Sequence, residues 1–127
     1  MKKETIKDRE PVWIALSEFY LDTELQDSDF LRIAFTIIRS PYSLEKVEEI
    51  NKYEVFPVLQ SNLLVTAGEW TGFDKEWLVN RVQESLAERT AFRKRCIEGL
   101  FLTLKWMQAD NWKKLEKVYY ELNTKRN

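Results

Sequence analysis

Four carboxylates fall within eight residues at Asp22, Glu24, Asp27 and Asp29, a density that a hard cation such as calcium could use. The spacing fails that chemistry. Counting from Asp22, the sixth position is Asp27 where a calcium loop needs glycine, and the twelfth is Ile33 where it needs a bidentate glutamate. The cluster reads instead as a solvated interhelical loop with a capping aspartate. A second candidate is Glu69 beside Trp70, set between Gly68 and Gly72. A carboxyl against an apolar ring is the arrangement that raises a pKa for general-acid work. No base or nucleophile accompanies it, so the preferred reading is structural: Glu69 accepts from free amides of a turn while Trp70 plugs the core.

Histidine is absent, which removes the commonest general base and the commonest zinc ligand together. Ser-His-Asp and Cys-His hydrolases are excluded; carboxylate or lysine chemistry is not. No catalytic residue, metal ligand or cofactor is assigned. The single Cys96 cannot form an internal disulfide, and its neighbours Ile97 and Leu100 predict a buried thiol. The N-terminus is charged rather than signal-like, and no apolar run approaches the roughly 20 residues that span a bilayer. The expectation is a cytoplasmic protein.

Charge is unevenly spread. Residues 16–88 hold 14 acidic and 6 basic side chains, net −8, while residues 89–127 hold 4 acidic and 10 basic, net +6. Within the acidic part, Glu45, Glu48 and Glu49 share one side of a helix, where they would attract a basic partner at long range. With Asp22, Glu24, Asp27 and Asp29 they form the candidate partner-binding set. The basic runs Arg89, Arg93, Lys94, Arg95 and Lys113, Lys114, Lys117 could touch phosphates, but Glu98, Glu116 and Glu121 interrupt them. Nucleic acid is therefore not the expected ligand.

These groups need a scaffold, and the 127 residues suit one all-α domain: 44% hydrophobic, 32% charged, with only three Gly and three Pro. Helical spacing predicts a compact bundle of about seven helices. The first begins near Asp8–Pro11, and the second is capped by Asp27 or Ser28 and buried on more than one side. The third starts after Ser43, the fourth restarts at Pro57, and the fifth is capped by Asp74 with Trp77 inward. The sixth, about Thr90 to Met107, is apolar on most sides and is the expected central helix. The seventh is capped by Asp110 or Asn111. Gly68, Glu69, Trp70, Gly72, Phe73 and Asp74 form the hinge that turns one helical half onto the other.

Several strings then resemble a family of small bacterial helical domains of unknown function: Arg9-Glu10-Pro11-Val12-Trp13, Asp22-Thr23-Glu24-Leu25, Ser40-Pro41-Tyr42-Ser43, Glu54-Val55-Phe56-Pro57 and Ala67 to Asp74. The resemblance covers residues 9–80 and leaves out the C-terminal third. In profile, an acidic-bodied, histidine-free helical domain is also similar to immunity proteins of toxin systems, contact-dependent growth inhibition included. That likeness implies a non-catalytic protein that binds and neutralises a basic, nuclease-like toxin. The alternative is a regulatory or nucleic-acid-associated helical domain that uses the basic C-terminal third.

The hinge carries its own test. Gly68 or Gly72 is expected to hold a positive φ, so Gly68→Ala or Gly72→Ala lowers the melting midpoint, at about 1–2 kcal/mol of strain. If neither substitution moves the midpoint, the stretch is an ordinary surface loop.

Overall fold

The computed structural model describes residues 3–21, 24–60 and 74–126. The hinge residues Gly68, Glu69, Trp70, Gly72 and Phe73, and also Asp22, lie outside that set. The described residues are all-α and form five continuous helices rather than about seven.

Helix α1 is Lys3–Ser17 and closes in a tighter turn at Glu18–Tyr20. It starts earlier than Asp8 because Pro11 is tolerated inside it. Pro11 is exposed, so the hydrogen bond it forfeits falls on the wet face of the helix, where water can serve the carbonyl. Val12, Trp13, Leu16, Phe19 and Tyr20 bury the opposite stripe.

Helix α2 is Asp27–Arg39, and its N-cap is Gln26 rather than Asp27 or Ser28. The Asp29 carboxylate accepts the Gln26 backbone N–H at 2.8 Å, and Asp27 and Asp29 favour the positive end of the dipole. Phe30, Ile33, Ala34 and Ile37 are buried. Leu31 and Phe35 stay 43% and 47% exposed, so the helix is covered on one side only.

Helix α3 replaces two expected helices. Ser43 caps it by accepting the Lys46 N–H at 3.1 Å. It runs as Leu44–Ile50, a wider π turn at Asn51–Val55, then Phe56–Leu59. Pro57 does not restart the chain because the π turn absorbs it. Proline brings no N–H to the Tyr53 carbonyl four residues back, and the Arg89 guanidinium donates to that carbonyl instead.

Helix α4 is Lys75–Ala87, and Asp74 caps it as expected, accepting the Trp77 N–H at 2.8 Å. Leu78 and Val82 face the core, whereas Trp77 is 46% exposed rather than inward.

Helix α5 combines the expected sixth and seventh: Ala91–Leu104, a tighter turn at Lys105–Gln108, and Ala109–Arg126. Neither Asp110 nor Asn111 is a cap, since the backbone runs straight through them. The first half is not central. Of its own residues only Leu104 is buried, and Cys96 is exposed. Its contacts go to the π turn of α3, while the second half lies along α2. There Leu115 is fully buried and Trp112 meets Phe19 edge-to-face at 5.3 Å.

The π turn turns polar as well as apolar side chains inward: Asn51 and Glu54 are 1% and 8% exposed. Glu54 would be prohibitively placed as a lone charge. The Arg9 guanidinium ion-pairs with its Oε2, and Trp13 Nε1–H donates to Oε1 at 2.8 Å. Arg9 Nε–H in turn donates to the Tyr42 hydroxyl at 3.1 Å and lies over the Tyr42 ring at 5.1 Å. Burial alone would lower the Arg9 pKa; the bonds to Glu54 and Tyr42 outweigh it and raise the net value. Glu54→Leu should therefore cost about 3–5 kcal/mol in urea denaturation, because it strands Arg9 without its partner. Arg9→Met combined with Glu54→Leu should recover a large part of that loss. Losses that merely add would show that the pair is not what holds α1 on α3.

Candidate functional site

The other face of the π turn opens a cleft of about 840 Å³ between α3 and α5. Position along two helices explains its lining. Glu45, Glu48 and Glu49 recur at helical spacing ahead of the π turn and make one wall. Phe101, Leu102 and Trp106 make the other, where the tighter turn between the halves of α5 changes the facing of successive side chains. Leu102 and Trp106 are 64% and 69% exposed, so this wall is an unusual amount of apolar surface left in water.

Tyr53 ties the walls together. Its hydroxyl donates to Glu98 at 2.7 Å, and Lys52 and Lys94 each lie 5.2 Å from its ring centre. The hydrogen bond to Glu98 is the main reason its phenol pKa is raised. Lys52 also reaches over Phe101 at 5.6 Å.

The floor is a buried polar chain. Tyr20, fully buried, donates its hydroxyl to Asn51 Oδ1 at 2.7 Å, and Asn51 Nδ2 donates to Gln108 Oε1 at 3.1 Å. Burial pushes the Tyr20 phenol far up, so it stays a neutral donor, although the nearby Gln108 and Asn51 amides ease its charged form slightly. Gln108 is 2% exposed, lines the cleft, and its Nε2 has no acceptor in hydrogen-bonding geometry.

Of the sequence-marked partner-binding residues that the structure describes, Glu45, Glu48 and Glu49 line this cleft, and Glu24, Asp27 and Asp29 do not. Glu24 is exposed ahead of α2, and Asp27 is exposed as its first residue. Asp29 shares Arg32 with Glu18, so its charge is already matched. Glu49 pairs with Lys46 at 3.4 Å. Sequence reading missed Trp106 and Gln108. The signal for Trp106 was its place four residues after Leu102; nothing in the spacing revealed Gln108, which depends on the turn within α5.

The strings that carried the resemblance now have a physical role: Arg9, Trp13, Tyr42 and Glu54, from three of them, form the buried ion-pair network. A profile of the family described as a domain of unknown function, DUF7079, matches residues 7–118. The chain belongs to the DUF7079 family. The match extends beyond residues 9–80, so most of α5, and with it both walls of the cleft, is part of the DUF7079 domain. No curated protein and no solved structure matches the chain. Among the described residues no helix is long and apolar enough to cross a membrane.

Among the walls of the cleft, Glu48 is an acid whose pKa departs from the ordinary carboxyl value. Its pKa is raised first by partial burial, then by a hydrogen bond with Glu116 and by the charges of Glu116 and Glu45. A carboxyl whose folded-state pKa lies above its unfolded value contributes stability below the unfolded pKa and loses it as pH rises through the folded one. Glu48→Gln should therefore raise the melting midpoint at pH 7, with solvent screening holding the gain under about 1 kcal/mol. The gain should fade below about pH 4, where carboxyls are protonated anyway. An equal gain at both pH values would mean that repulsion is not the cause.

Proposed function

We propose that this protein is a non-catalytic binding module whose cleft between α3 and α5 receives a basic protein partner. In its most concrete form it is an immunity protein that neutralises a nuclease-like toxin, as in contact-dependent growth inhibition. One observation carries the reading: the acidic wall Glu45, Glu48, Glu49 stands opposite the exposed apolar wall of Leu102 and Trp106. Stable interfaces combine these ingredients, with aromatic and aliphatic anchors supplying the energy and charge supplying steering and register. A nucleic-acid role for the basic stretch of α5 is less well supported, because Lys94 is engaged by Tyr53 and Arg93 lies 3.7 Å from Glu88.

The test uses the partner captured from the native host by the intact protein, then purified. Changing Glu45, Glu48 and Glu49 together to lysine should slow association more than it speeds dissociation, with a loss that is steep at low salt and shallow at high salt. The variant's fold should be nearly unchanged, since exposed helix charges rarely matter by more than about 0.5 kcal/mol each. Co-expression with the wild type should relieve the partner's toxicity. A nucleic-acid partner, or a triple variant that associates as fast as wild type, would refute the reading.

A further inference from the structure

The solvent side of α5 repeats every seven residues. Phe92, Gly99 and Trp106 return to one side of the helix, flanked by Arg95 with Leu102 and by Cys96 with Thr103, and all of them are exposed. The opposite side, with Ile97, Phe101 and Leu104, is the one that meets the core. Phe92 and Trp106 are 77% and 69% exposed, and a seven-residue apolar repeat is the pattern by which one helix pairs with another.

Gly99 stands at the middle of this side, and nothing within its own chain asks for glycine there. Its backbone is helical, and among the described residues a β-carbon at this position meets nothing within 4 Å. Glycine weakens a helix interior relative to alanine, so the helix carries a defect with no internal reason. What the missing side chain provides is bare backbone open to a close approach from outside. The Thr103 hydroxyl donates back to the Gly99 carbonyl at 3.1 Å, so that flank can be dried without stranding a donor.

Symmetry and charge select what covers this side. Phe92 and Trp106 lie seven residues before and after Gly99. Two copies crossing antiparallel at Gly99 therefore set each Phe92 on the other's Trp106 and each Cys96 beside the other's Leu102, which makes the pattern its own complement. A shallow crossing of about 20° keeps both rings in reach. The charge divides in the same sense, −8 over residues 16–88 and +6 over residues 89–127. The antiparallel crossing lays the basic start of α5, Arg93 and Arg95, beside the other copy's Trp106, which lines the cleft with Glu45, Glu48 and Glu49. Lys52 and Lys105 line it too, and carboxylates remain in the majority. Among the described residues Arg95, Glu45 and Glu48 form no ion pair of their own. A parallel pairing would instead bring the cations of both copies together.

We propose that the solvent side of α5 pairs with the same side of a second copy, in an antiparallel two-fold dimer that crosses at Gly99. Covering Phe92, Leu102 and Trp106 of both copies removes at most about 900 Å² of apolar surface, the scale of a transient interface rather than an obligate one. The dimer needs no partner in the cleft. Since Leu102 and Trp106 belong to both surfaces, such a partner would displace the second copy.

Sedimentation of the full chain alone across a range of concentrations is the test. Wild type should pass from monomer to dimer with a midpoint of roughly 10–300 µM, as an interface of this size gives. Phe92→Ser, at a side chain too exposed to matter to the fold, should raise that midpoint at least about tenfold. Gly99→Gln should move two readouts in opposite directions. The dilute monomer should melt at a higher temperature, because glutamine is the better helix former, while the dimer midpoint rises at least about tenfold, because the backbones no longer close. A glycine that served only the monomer's own packing would lower the melting temperature when replaced, and that result overturns the close approach. Leu102→Cys should give a disulfide-linked dimer with the native Cys96 under mild oxidation. Wild type should not, since its two Cys96 residues lie about 9 Å apart along the helix axis. A chain still monomeric at about 500 µM overturns the dimer, and so does self-association that survives both Phe92→Ser and Gly99→Gln. Self-association without the Leu102→Cys cross-link overturns the antiparallel crossing. None of these outcomes bears on the acidic cleft, which the association experiment with the captured partner judges separately.

Discussion

The fold depends on keeping one carboxylate dry. Glu54 sits in the π turn of α3 at 8% exposure, and a charge there is tolerable only because Arg9 and Trp13 of α1 both reach it. Tyr42, ahead of α3, then holds the far side of Arg9 through its hydroxyl and its ring. One interaction therefore sets the register of α1 on α3 and the position of the turn that precedes α3. Such a network is demanding, since losing a member leaves a buried charge behind, and it leaves few alternative packings open to α1.

The same π turn organises the opposite face. Its extra backbone length turns Asn51 inward toward Tyr20 and Gln108 while Tyr53 points out to Glu98 on α5. The ion-pair cage and the cleft are thus two sides of one local irregularity, and π turns inside helices often accompany functional sites for this reason. Pro57 and Arg89 complete the device: proline withholds a donor from the Tyr53 carbonyl, and Arg89 supplies one from the start of α5.

The cleft gains its chemical character from surfaces the fold does not use. The first half of α5, whose own buried residue is Leu104 alone, carries Phe92, Leu100 and Leu102 exposed, and Trp106 is exposed in the tighter turn that follows. Core formation explains the second half, which packs on α2, but does not explain these rings. Of these, Leu102 and Trp106 stand opposite the acidic helix face, which is what supports the proposal of a protein partner, with charge for approach and apolar area for retention.

Composition and periodicity by themselves determined the all-α class, the buried stripes of α1 and α2, the caps at Ser43 and Asp74, and the acidic face Glu45, Glu48, Glu49. All of these are local consequences of helical spacing and of side chains that serve orphan amides. Tertiary structure decided what local pattern does not encode. It joined about seven expected helices into five, because a π turn and a tighter turn satisfy backbone groups that would otherwise end a helix. It moved Cys96 and the expected central helix outward, since an apolar helix is central only if other helices cover it. It also paired Arg9 with Glu54 and faced Glu48 toward Glu116 across long stretches of chain. Attraction and repulsion between residues so distant in sequence are fixed only when packing brings their helices together, and spacing along one helix carries no record of its neighbour.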